Sequence, residues 1–326
     1  MKRAISFAVL AVASFAVATI APAAEITIKW GDVIGGEHPQ VLMIDRVAKT
    51  VAEKTNGRIE IQAFPGGQLG GSRDMIEAVS AGIQEMVTEG AANFGEWVPF
   101  ISVVEAPYIW KSPDHMVKVV NGQLLDEINE KLVSQAGMRA LVALYYGTRH
   151  VTSTNREIHS VADMEGFKIR VPENEVFKAM AESWGAKPTP MNFNELYLAL
   201  KQGVVDGQEN PLPTIKAGKL YEVQKYIVLT GHIITPRLVV VNENFWQSLS
   251  EEDRTIIRDA VLEAAAWSDN EIKKAEAELA SWFEQQGVTI IEPDVESFRQ
   301  ATLAKVPPLF EDRWGKGTFE RLHSAE

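Results

Sequence analysis

Strand-like runs alternate with helix-like runs from the first charged residue after an apolar leader onward. Glu25-Ile26-Thr27-Ile28-Lys29-Trp30 alternates polar with apolar side chains and predicts a strand. Pro39 then opens a helical pattern carried by Leu42, Val47 and Val51 and stopped by Asn56-Gly57. A second strand, Ile59 to Phe64, follows at once. After the glycine loop Gly66–Gly71, Ser72 is the expected N-cap of a helix through Ala81. This βαβα order implies an α/β unit with a mostly parallel sheet.

The alternation restarts at Arg139–Leu144 and again at Phe167–Val171, which precedes a helical stretch from Glu175 to Trp184. A late apolar run, Leu238–Val241, reads as a buried strand returning to one of the two units, so the domains are expected to interleave. From Ser250 to Gln286 one helical pattern persists, with Ser250 as N-cap and Gly287 beyond its end. At 1.5 Å per residue it spans roughly 54 Å. Such a helix exceeds one small domain, so it either kinks or braces two.

Lys2 and Arg3, the apolar run Ile5–Ile20 and the small residues Ala21-Pro22-Ala23-Ala24 have the three zones of an export signal, placing residues 1–24 outside the mature chain. The periplasm is the expected location. About 300 mature residues call for two domains. An exported chain can hold disulfides, yet this one has no cysteine, so its stability rests on burial. Loss of Lys2 and Arg3 takes the net charge from −12 to −14, which argues against nucleic acid or anionic membranes as partners. An anion held by so acidic a chain needs local fixed cations.

Catalytic and cofactor signatures are missing. Gly66-Gly67-Gln68-Leu69-Gly70-Gly71 lacks the P-loop lysine and the GxGxxG spacing, so a surface turn is the simpler reading. The six histidines never fall at HxxxH or HExxH spacing, and no GxSxG elbow occurs, so neither a metal nor a cofactor is expected. Asp206, Glu209 and Glu89 could form an acid/base pair, but nothing raises them above the background of 44 acidic residues.

Four motifs follow in order between residues 147 and 211: Gly147-Thr148-Arg149, Lys168-Ile169-Arg170-Val171-Pro172, the run Pro188-Thr189-Pro190-Met191 through Phe193, Glu195 and Tyr197 to Leu200, and Val205-Asp206-Gly207-Gln208-Glu209-Asn210-Pro211. The segment resembles the substrate-binding proteins of TRAP transporters, the tripartite ATP-independent periplasmic family of DctP type. The Gly66–Gly82 loop and helix and the long C-terminal helix fit as well, so the resemblance covers essentially the whole mature chain. It implies a two-lobed periplasmic-binding-protein fold of interleaved α/β domains. Lobe I is expected from 25–146 plus 235–270, lobe II from 147–234 plus 271–326, with the helix 251–286 bracing both.

The resemblance also implies roles. Arg170 matches the arginine that grips the ligand carboxylate, a task suited to the planar guanidinium fork. A pair with a neighbouring Asp or Glu is the structural alternative. Arg149 matches a second arginine, with a surface ion pair as its alternative. Asn210 matches an asparagine able to donate and accept, Phe193 an aromatic packed on the ligand, with core packing as its rival, and Glu89 a glutamate that accepts from ligand hydroxyl or amine groups.

Sialic-acid-binding members carry an asparagine where this chain has Val33, and Glu37-His38-Pro39 follows instead. Polar groups such as Glu37, His38 and Glu89 suit a smaller polyhydroxylated acid, so a hexuronate or aldonate is expected ahead of sialic acid or a C4-dicarboxylate. The family further implies a monomer that delivers its ligand to integral membrane permease subunits without turnover. A secreted enzyme acting on acidic sugars is the rival class.

Overall fold

A computed structural model describes residues 24–325. The expected export signal, residues 1–24, falls outside the described residues save for Ala24. The strands are β1 (Ile26–Gly31), β2 (Ile59–Phe64), β3 (Met86–Gly90), β4 (Met138–Ser153), β5 (Lys168–Val171), β6 (Lys187–Pro190), β7 (Gly207–Pro211), β8 (Tyr226–Asn242) and β9 (Thr289–Ile291). They form one continuous sheet in the order β2-β1-β3-β8-β4-β7-β5-β6, with β9 added beside β8.

The two flanks are parallel, as the βαβα order implies: β1 pairs with β2 and β3, and β5 with β6 and β7. The centre departs from that expectation. There β3–β8, β8–β4 and β4–β7 are all antiparallel, because β4 and β8 are long strands running in opposite directions through both lobes. Their ladder breaks register between Tyr145 and Gly147 and again between Arg149 and Val151. Bulges of this kind bend a strand and re-aim its side chains. Gly147 sits at the break with φ of +131°, where a Cβ would stand 2.5 Å from the Pro211 side chain.

The long helix runs unbroken from Glu251 to Gln285, and Ser250 Oγ accepts from Asp253 N at 3.1 Å. Its first half gives Val261, Ala264 and Ala265 to a core shared with Ile28, Trp30, Met43 and Ile44. Its last turns give Leu279 and Phe283 to a second core with Leu196, Leu200 and Ile215. Between them Ile272 joins the largest cluster, which reaches from Val87 and Leu238 to Ile169 and Phe177. The helix therefore braces two cores, each an amphipathic stripe facing one end of the sheet. Helix Ser72–Ser80 starts one residue earlier than expected: Gly71 is the cap, since its N–H donates to Asp74 Oδ2 at 2.9 Å. Among the described residues no helix is long and apolar enough to cross a membrane.

Candidate functional site

Between the two flanks of the sheet lies a cavity of about 50 Å³. Its walls come from both sides of the β4–β8 crossover: Glu89 from the end of β3, Arg149 from β4, Arg170 from β5, Asn210 from β7 and Arg237 from β8, with Phe193 opening a helix. The cavity is shut. Arg170, Arg149, Asn210 and Glu89 are all under 5% exposed.

Three guanidinium groups reach this space, and two are neutralised within the chain. Arg149 Nε and Nη2 both donate to the Glu209 carboxylate, Nη2 also to Glu209 O at 2.8 Å and Asn210 Oδ1 at 3.1 Å. Burial alone would raise the Glu209 carboxyl, but Arg149 and the bond from His232 outweigh it and hold it below its usual range. Arg237 forms a fork with Asp32 at 3.0 and 2.8 Å and bonds Gln40 Oε1 and Thr88 O besides. Bidentate pairs of this geometry satisfy both charges in a dry interior.

Arg170 differs. Its Nε and Nη2 donate to Met191 O at 2.9 and 2.6 Å, and among the described residues no Asp or Glu pairs with it. The Phe193 ring lies beneath it, 5.9 Å from the guanidinium carbon. Burial pulls its pKa down to about 10, with Arg149 adding to the fall and Glu209 opposing it. A neighbouring carboxylate is thus the partner of Arg149 and not of Arg170. Arg170 is a buried guanidinium held by a backbone carbonyl, with no paired carboxylate among the described residues.

The remaining lining is hydrogen-bonding and short of partners. Glu89 Oε2 accepts from Gly90 N and Asn93 Nδ2, while its buried Oε1 has no bond and stands 3.9 Å from Arg237 Nη2. Thr235 Oγ1 is likewise buried and unbonded. Burial raises the Glu89 carboxyl against the pull of Arg237. It pushes Glu105, whose Oε2 accepts from Ala92 N at 2.7 Å, up to about 7. Buried polar atoms without partners are costly, and a ligand that donates to them recovers that cost.

The expected residues therefore divide. Arg170, Arg149, Asn210, Glu89 and Phe193 line one cavity. Glu37 and His38 do not reach it. His38 is buried as the cap of helix Pro39–Lys54, its Nδ1 accepting from Gln40 N at 3.2 Å, and burial takes its pKa down to about 3. Glu37 is exposed on a different groove, against the helix Leu212–Ala217 and the end of the long helix. Capping a helix is the work that a histidine before Pro39 performs here.

Sequence comparison agrees with this architecture. The family model described as "Bacterial extracellular solute-binding protein, family 7", DctP, matches residues 30–312. The chain belongs to this family. The Vibrio cholerae serotype O1 protein named sialic acid-binding periplasmic protein SiaP is 38% identical over 266 residues, covering 82% of this chain and 81% of its own. Among solved structures, a TRAP periplasmic solute binding protein from Roseobacter denitrificans OCh 114 with bound L-galactonate superposes with a TM-score of 0.84 at 31% identity. That match covers 90% of this chain and 100% of the other. A second Roseobacter denitrificans protein, with bound β-D-glucuronate, gives a TM-score of 0.87 at 31% identity over 92% of this chain and 100% of the other. The two-lobed fold and the transport role expected of the TRAP family accordingly hold for this solute-binding protein.

Local spacing singles out neither Glu105, Thr235 nor Arg237 of this family member, although all three line the cavity. Arg237 had one available signal: Pro236-Arg237 stands immediately before the buried run Leu238–Val241, and a charge at the mouth of such a run needs a partner. Glu209 lies within the motif Val205–Pro211, but its partner Arg149 is 60 residues away.

Proposed function

We propose that this protein captures a polyhydroxylated monocarboxylate, a hexuronate or an aldonate, in the cavity between its lobes and passes it to integral membrane permease subunits. The observation that carries the reading is the charge inventory. Arg149 and Arg237 have Glu209 and Asp32, so Arg170 supplies one unanswered positive charge and matches one carboxylate. Arg149, Asn210 and Phe193 flank that carboxylate, and Asn210 and the unbonded Glu89 Oε1 and Thr235 Oγ1 suit ligand hydroxyls. A second ligand carboxylate would meet Glu89 and Glu105 instead of a free cation. The L-galactonate and β-D-glucuronate carried by the similar Roseobacter proteins have the chemistry this lining asks for.

Binding, closure and release are the whole activity in this reading, performed by a monomer in the periplasm without turnover. Sialic acid is a second reading, favoured by the 38% identity to the Vibrio cholerae protein of that name. Against it stands the apolar Val33 in the cavity wall. A thermal-shift panel separates these readings, since a ligand at a hundred times its Kd stabilises the folded state by about 2.7 kcal/mol. D-Glucuronate or L-galactonate is expected to raise the melting temperature. A shift with sialic acid or succinate alone would overturn the ligand class, and product detected by mass spectrometry would overturn the non-enzymatic reading.

A further inference from the structure

The glycine loop Gly66–Gly71 lacks the P-loop lysine, yet it meets the lobe opposite at unusually close quarters. A Cβ at Gly67 would stand 2.0 Å from Asn194 Nδ2, and one at Gly71 would stand 1.6 Å from Asn192 Nδ2. Real side chains never approach so closely, so both positions are open to these asparagines only because they are glycine. The loop is itself fixed. Gly66 N donates to Ile34 O, Gly67 N to Asp32 O and Gly70 N to Gly67 O. Asp32 in turn holds Arg237.

The asparagines alternate with residues of the ligand cavity. Met191 O accepts both bonds from Arg170, and Phe193 lies under the same guanidinium. Asn192 cannot simply swing aside, because its Oδ1 accepts from Asn194 N at 3.0 Å as the cap of the helix Phe193–Lys201. In the segment 191–194, odd positions set the anchor and even positions rest on the glycines of the other lobe.

We infer that Gly67 and Gly71 form a seat for Asn194 and Asn192, and that seating this segment on lobe closure fixes Met191 and Phe193, and through them Arg170, in the binding geometry. Asn192 and Asn194 are then positioning residues with no ligand contact of their own. Gly71 gives the cleaner test, since its φ of −75° is open to any residue while Gly67 at +69° is not.

The seat can be tested without any ligand. Asn192 Cγ lies 2.9 Å from the Gly71 Cβ position. That places the two Cβ atoms within the ~4.5 Å a disulfide spans, and the chain has no cysteine to compete. The double variant Gly71→Cys/Asn192→Cys is expected to form an intramolecular disulfide on mild oxidation, detected by mass and by thiol titration. Its absence overturns the seat.

The positioning role rests on the sugar-acid reading only through its probe, D-glucuronate. Gly71→Ala is expected to weaken D-glucuronate binding by about tenfold or more, because an apparent Kd rises as the competent closed population falls. Adding Asn192→Gly reopens the space, and glycine is a tolerable cap, so affinity should return to within about threefold. Unchanged affinity in Gly71→Ala, or no recovery in the folded double variant, overturns the positioning role even where the disulfide forms. If wild type ignores D-glucuronate, the ligand reading fails and the disulfide alone decides the seat.

Discussion

Arg149 and Glu209 form a buried ion pair in which Nε and Nη2 of one meet both carboxylate oxygens of the other. The pair extends to His232, whose Nε2 stands 3.1 Å from Glu209 Oε2 while Nδ1 meets Thr230 Oγ1 at 2.8 Å. Burial lowers the His232 pKa despite Glu209, so the imidazole is neutral and donates through Nε2. Because Glu209 answers Arg149, the ligand is not needed to hold that arginine in the fold.

Truncating the pair on one side should therefore be costly even without ligand. Glu209→Ala leaves a dry guanidinium uncompensated and is expected to lower stability by about 3–5 kcal/mol, read by urea denaturation of the ligand-free protein. Arg170→Met removes a buried charge that no carboxylate answers, so its stability should stay within about 1 kcal/mol of wild type. The two arginines sit in one cavity, and the contrast separates a structural ion pair from an open one.

Regular periodicity explains what was legible beforehand. Ile26–Gly31, Ile59–Phe64 and the 35-residue helix Glu251–Gln285 follow two-residue or 3.6-residue apolar repeats, and each lies where that repeat puts it. β7 was not legible, because Gly207-Gln208-Glu209-Asn210-Pro211 is polar in sequence yet wholly buried. Its polar atoms are met by Thr152, Arg149 and His232, partners 23 to 60 residues away, which no local window contains. The same holds for Asp32 and Arg237, 205 positions apart. Arg149 and Arg170 look alike in sequence, and only the fold distinguishes the neutralised cation from the unanswered one.

Acidity should stabilise the protein within a defined window. Burial raises Glu105 from 4.5 to about 7 and Asp269 from 3.8 to about 7, against opposing pulls from Arg149 and from the Tyr145 amide. Both groups bind protons more tightly folded than unfolded, so their contribution is complete below about pH 4 and is lost as pH rises through 7. Denaturation at pH 5.5 and pH 8 should show lower stability at the higher pH from these two groups. Glu105→Gln is expected to flatten part of the slope. Ionised Glu105 also adds negative charge to the cavity, so affinity for an acid should fall above pH 7 in wild type and less in Glu105→Gln.

The β4 crossover makes a backbone prediction. Gly147 takes a positive φ with Pro211 and Glu276 against its missing side chain, and Glu276 Oε1 and Oε2 accept from Thr148 N and Tyr145 Oη at 2.6 Å. Gly147→Ala should cost about 1–3 kcal/mol from backbone strain, with added cost from the Pro211 contact. A melting temperature equal to wild type would show that the crossover relaxes freely.

Calorimetric titration of Arg170→Ala with D-glucuronate or L-galactonate bears hardest on the role of the unanswered guanidinium. Its loss should weaken binding by about 2–5 kcal/mol, roughly thirtyfold at the least, because the ligand carboxylate is left buried without its partner. The variant should keep its fold by circular dichroism. Near wild-type affinity in a folded Arg170→Ala protein would mean that the carboxylate is held elsewhere and that Arg170 is not its partner.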